Sequence, residues 1–188
     1  MRPLRLYLLL AFGWSWAVWI PIAALVGDLS ALHYALVAVA AAGPSVAGLL
    51  CTAREEGRAG LRRLMASLLA WRLPARWYAL ALGGPLTVAL LSVASYQLAV
   101  GDGIFSELEA TTVLLVPVAL VAAVFVGSLQ EELGWRGYAL PRLLDRWSAV
   151  PAALLVGVAW ALWHLPLYAI VDGQERTPLW SSPGFVDT

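Results

Sequence analysis

Thr112–Leu133 reads TVLLVPVALVAAVFVGSLQEEL and runs into Glu131-Glu132-Leu133-Gly134-Trp135-Arg136-Gly137-Tyr138. A helix needs about 20 apolar residues to cross a bilayer, and this run supplies them. Two adjacent carboxylates with an arginine close behind are costly at such a place. Ionisable side chains are rare in membrane segments and usually functional there. The run decides the fold class, and its ending raises the question of function.

The rest of the chain is built the same way. Of its 188 residues 61% are hydrophobic and only 13% charged, whereas soluble domains carry roughly 25% charged residues. Mean hydropathy is +0.78, so the chain belongs to the membrane class before any segment is inspected. Basic and acidic residues balance at 12 each, which argues against nucleic acid as a partner. The lone Cys51 has no second cysteine to pair with, and no thiol or metal motif surrounds it.

Apolar runs long enough to span a membrane lie at 6–26, 32–51, 77–100, 112–133 and 149–171. The expected fold is therefore all-α, a polytopic transmembrane bundle of about five spans in one domain. The first run follows Arg2 and Arg5 but is too long for a signal-peptide core of roughly 7–15 residues, so it reads as a retained helix. The connector 54–76 carries Arg54, Arg58, Arg62, Arg63, Arg72 and Arg76, and the connector 134–148 carries Arg136, Arg142 and Arg146. The intervening 101–111 carries Asp102, Glu107 and Glu109 without a base. By the positive-inside rule this alternation predicts a multi-pass cell-membrane protein with a cytoplasmic N-terminus. Glu131 and Glu132 then fall at the cytoplasmic end of the fourth span.

Within the long basic connector, Leu61, Leu64, Met65, Leu68 and Leu69 recur at helical spacing, with Arg58, Arg62 and Arg63 off that stripe. The pattern predicts a basic amphipathic helix over about 57–73, lying in the membrane interface. Pro85, Pro117 and Pro166 fall inside spans. Pro166 frees the carbonyl of Leu162 beside His164. Residues 172–188 are a polar tail, expected outside the membrane.

Three groups can do chemistry. Glu132 and Arg136 are i, i+4 neighbours and can pair, whereas Glu131 points about 100° away along an α-helix. Glu131 is thereby free to act as a general base toward water. His164, in Trp160-Ala-Leu-Trp163-His164-Leu-Pro166, is near Trp160 by helical spacing and can pass a proton at physiological pH. His33 lies at an outer boundary without an obvious partner. A purely structural Glu132–Arg136 pair and a helix-bonding histidine are the plain alternatives, and the tryptophans read as packing and belt residues. Zinc is disfavoured, because a catalytic site normally uses three protein ligands and the two adjacent glutamates cannot easily share one ion. No cofactor is expected.

Glu131-Glu132-x-x-x-Arg136, followed one helix later by Trp160-x-x-x-His164, resembles the CPBP family, the CAAX prenyl endopeptidases and bacteriocin-processing or immunity proteins also called Abi. The likeness covers the N-terminal and central part of a family member. It implies an intramembrane glutamic-type endopeptidase without a metal. Glu131 would activate water, His164 would assist, and Glu132 with Arg136 would shape the site. The substrate would be a peptide or protein C-terminus, prenylated in some members. Trp160 stands where the family usually has phenylalanine. The family's third motif, a histidine followed four residues on by Asn or Asp on a later helix, has no counterpart, for no histidine follows His164. That motif is expected to bind the oxyanion. The polar ending favours a chain that stops short of the family's last helices. The alternative is a catalytically inactive membrane protein for peptide binding or bacteriocin immunity.

Overall fold

The structure, a computed structural model, describes residues 2–25, 29–100, 115 and 129–172. Most of the expected fourth span and nearly all of the polar tail lie outside the described residues. Among the described residues every regular element is helical. In order they are α1 (Arg2–Leu25), α2 (Ala31–Ala40), α3 (Gly43–Ser67), α4 (Ala75–Val100), α5 (Leu129–Gly134), a π-helical turn (Trp135–Ala139), α6 (Leu140–Leu144), α7 (Ala149–Trp163) and α8 (Leu165–Asp172). Among the described residues four helical segments are long and apolar enough to cross a membrane: Pro3–Leu25, Ala31–Ser67, Ala75–Ala99 and Ala149–Ile170. The molecule is a multi-pass membrane protein. Its backbone is helical because in hydrocarbon each N–H and C=O must find its partner within the segment.

The chain divides into two compact units, Met1–Ser67 with Ala123–Thr188, and Leu68–Ala122. In the second, α4 is apolar on all sides and carries exposed Leu82, Leu90 and Leu98. Arg72 and Arg76 stack over Trp71 and Trp77 just before and at its start. Such aromatic–arginine pairs suit the headgroup layer.

The first unit is organised by helix breaks. The expected span 32–51 is interrupted at Ala41-Ala42, between α2 and α3. Pro44 has no N–H, so the carbonyl of Ala40 loses its helical donor. Ser15 on α1, fully buried, supplies one instead, its hydroxyl donating to Ala40 O at 2.7 Å. Trp19 and Trp14 add indole N–H bonds to Val37 O (3.1 Å) and Val39 O (3.3 Å). The expected span 149–171 is likewise broken at His164. There Trp16 on α1 donates to Trp163 O at 2.9 Å. One helix thus donates to a backbone carbonyl at each interruption.

Two further differences from the sequence pattern bear on the site. α3 continues past the expected end of its span at Cys51 and bends at Gly57, whose φ of +60° and ψ of −150° only glycine adopts readily. Beyond the bend the helix ends at Ser67, short of the expected 73. Leu64 is buried and packs against Gly137, so part of the stripe expected to face lipid faces protein. In addition, Glu131 and Glu132 do not close a helix. The helical run continues through the basic connector to Leu144.

α3 and α5 cross in backbone contact. A Cβ on Gly134 would stand 2.2 Å from Pro44 O, and one on Gly48 would stand 3.0 Å from Gly134 Cα. Around this crossing Tyr7, Trp19, Trp135, Tyr138 and Trp163 form a buried aromatic core. Gly134→Ala is expected to lower the thermal midpoint in detergent by several degrees. Overpacking costs about 1–3 kcal/mol, and ~1 kcal/mol shifts the midpoint by about 2–4 °C at this size. Gly83→Ala in α4, where an added methyl meets nothing within 4 Å, is expected to leave the midpoint level or raise it. Equal stability of the two variants would contradict the close crossing.

Candidate active site

The crossing at Gly134 places Glu131 one turn earlier on α5, facing the end of α7. Trp160 Nε1–H donates to Glu131 Oε2 at 2.7 Å. His164 Nε2 faces Glu131 Oε1 at 4.0 Å, and their side chains are only 12% and 13% exposed. Glu132 turns the other way and pairs with Arg136, at 30% and 66% exposure. The two neighbouring carboxylates therefore sit in different surroundings: one nearly buried among rings, the other in a surface ion pair. Surface pairs of this kind contribute roughly 0–1 kcal/mol.

The break at His164 orients its ring. Pro166 follows without an N–H, and the imidazole folds back over the preceding turn. Nδ1 lies 2.9 Å from Trp160 O. A carbonyl only accepts, so Nδ1 carries the proton and Nε2 is left to face Glu131. The ring is held between the indoles of Trp160 and Trp163, both edge-on, at centroid distances of 4.3 and 4.6 Å. Trp163 in turn packs on Trp19 at 4.7 Å and Trp135 at 6.1 Å. The buried aromatic core thus continues directly into the site.

The π-helical turn comes immediately after the carboxylates. Leu140 N–H donates to Trp135 O, five residues back. Pro141, lacking an N–H, cannot resume the ordinary ladder at the next position. The wider turn leaves Trp135, Tyr138 and Ala139 buried and Arg136 exposed. Single π turns recur at functional sites.

A polar network built on the acids among the arginines of the connector 54–76 ties this turn to α3. Tyr138 donates to Glu55 Oε1 at 2.5 Å. Arg142 Nη2 donates to Glu55 Oε2 (2.6 Å) and Glu56 Oε1 (2.9 Å) while its guanidinium lies 3.6 Å over the Tyr138 ring. Arg63 completes the chain to Glu56. Burial, and then donation to Glu55, hold the Tyr138 phenol above the usual tyrosine range. The adjacent Glu55-Glu56 among arginines was the available sequence signal. His33 has a partner as well: Ser30 N–H donates to its Nδ1 at 3.0 Å at the start of α2. Among the described residues no three His, Cys, Asp or Glu side chains group as metal ligands.

The carboxylate of Glu131 and the imidazole of His164 thus face each other from adjoining helical segments. Residues 112–185 match the family model described as Type II CAAX prenyl endopeptidase Rce1-like. The matched segment holds Glu131, Glu132, Arg136, Trp160 and His164. The chain is also 40% identical over 84 residues to CAAX prenyl protease 2 of Methanococcus maripaludis, a stretch covering 45% of this chain and 28% of that protein. The match thus spans little more than a quarter of the relative's length. No solved structure matches the chain.

The two histidines of the chain are expected to be opposite tautomers when neutral: Nδ1–H for His164, which donates to a carbonyl, and Nε2–H for His33, which accepts from an amide. Imidazole ¹⁵N spectra of the protein in detergent, assigned with His33→Gln, test this. Two Nε2–H signals would refute the ring orientation at His164.

Proposed function

We propose that this protein is an intramembrane endopeptidase of the glutamic type, acting on a protein C-terminus. The observation that carries the reading is the Glu131–His164 pair. At 4.0 Å, Oε1 and Nε2 are too far apart to bond directly. One water with bonds of about 2.8 Å to each fits between them. Such a water would give a proton to Glu131 as its oxygen attacks the scissile carbonyl. A C–O bond forms, the C–N bond breaks, and the proton held on Glu131 passes to the departing amine. His164 orients the water through Nε2. Glu132 and Arg136 shape the rim.

The basic connectors support a cytoplasmic N-terminus and a site near the cytoplasmic face. A lipid-bearing substrate, as the relative's name indicates for that protein, fits a further feature. An apolar groove of about 650 Å³ between α1 and α7 is lined by Leu8, Leu9, Phe12, Trp16, Ala159 and Leu162, with Arg5 on its wall. Its apolar lining suits an isoprenoid chain better than a polar peptide.

Glu131→Gln keeps the size of the side chain and removes the base. It is expected to lower cleavage of a prenylated C-terminal peptide in membranes by roughly 10²–10⁴-fold. Chelator treatment is expected to leave the rate unchanged. Undiminished cleavage by the variant would remove Glu131 from the mechanism, and loss of activity with chelator would bring a metal into it.

A further inference from the structure

We propose that Trp160 is a positioning residue that holds both members of the catalytic pair at once; this rests on the reading of Glu131 as the base. Its indole N–H fixes one oxygen of Glu131, at 2.7 Å from Oε2. Its backbone carbonyl fixes the ring of His164, at 2.9 Å from Nδ1. Its ring meets the imidazole edge-on at 4.3 Å. Two of these three contacts belong to any aromatic residue at this position. The first requires a donor on the ring.

The donor matters because of what it leaves free. With Oε2 engaged, the remaining oxygen, Oε1, is the one turned to His164 Nε2. An indole donates only and has no acceptor or titrating group near neutral pH. It therefore restrains the carboxylate without competing for the proton that Glu131 must take. Arg136 does not serve this purpose, since it is engaged with Glu132 on the exposed side. Packing does not explain the indole either. Trp160 is 42% exposed, whereas Trp19, Trp135 and Trp163 are fully buried. A phenylalanine at this place would keep the ring contact and leave Glu131 free to rotate about its terminal torsions.

Trp160→Phe, and replacement of Trp160 by benzothienylalanine, which swaps the indole N–H for sulfur at nearly constant shape, isolate the donor. Both are expected to lower kcat by about 10–100-fold, the range for a lost hydrogen bond to a charged group, with KM within about twofold. The thermal midpoint should remain near that of the unmodified protein. Wild-type kcat in both would overturn the proposal. A measurement independent of turnover accompanies this. In ¹⁵N-indole spectra, the signal of Trp160, identified by its disappearance in Trp160→Phe among the ten tryptophans, should lie downfield and move in Glu131→Ala while the others stay. A signal indifferent to Glu131→Ala would overturn the proposal whether or not the protein cleaves. A responsive signal together with undiminished cleavage by Glu131→Gln would instead remove Glu131 as the base, and with it the positioning role.

Discussion

The contact between Gly134 and Pro44 governs the geometry of the first unit. A Cβ at Gly134 would meet the carbonyl group and ring of Pro44 directly, so α3 and α5 approach there at backbone distance. In lipid there is little hydrophobic drive to bring helices together, so close packing of small residues supplies much of their attraction. The crossing lies three residues after Glu131 and two after Glu132. Any side chain at Gly134 would move Glu131 away from Trp160 and His164, whereas Glu132 would travel with Arg136 on the same helical run. Local sequence and long-range geometry are joined at this one position.

α1 has the complementary task. Proline and backbone breaks re-aim side chains, but each break leaves carbonyls without helical donors. Ser15 and Trp16 answer the breaks at α2–α3 and α7–α8 respectively. They are neighbours in sequence and project from α1 toward different helices. The interruption at His164 turns the imidazole toward Glu131, and Trp16 satisfies Trp163 O, the carbonyl of the residue just before it. α1, which carries neither Glu131 nor His164, thus makes the bent geometry around them affordable in a medium that solvates nothing.

Much of this was legible in the sequence, and the limits have physical causes. Hydropathy is a sum over a window, so it registers membrane helices well and their breaks poorly. The second and fifth runs read as continuous because Ala41, Ala42 and His164 barely alter the average. The Glu132–Arg136 pairing and the divergence of Glu131 from it follow from helical spacing alone. What spacing does not give is the partner across the bundle. The indole of Trp160 reads as an aromatic ring in a motif, and only the placement of α5 against α7 turns its N–H into a donor to Glu131. Glu55 and Glu56 were obscured for another reason. Counting arginines to orient a loop discards the acids among them, although here the acids bind Tyr138 and Arg142. The expected fourth span, 112–133, lies mostly outside the described residues.

Two identical residues in succession ordinarily suggest redundancy, and here the surroundings divide them. On an α-helix Glu131 and Glu132 differ by about 100°, enough to send one into the aromatic cluster and the other to the rim. The π turn that follows keeps the division sharp. Its wider path lets Trp135 and Tyr138 both stay in the core while Arg136 remains outside with Glu132. Were Arg136 turned inward, its charge would lie beside Glu131 and hold that carboxylate in an ion pair. The arginine of the motif is thus best understood by the glutamate it occupies and by the one it leaves alone.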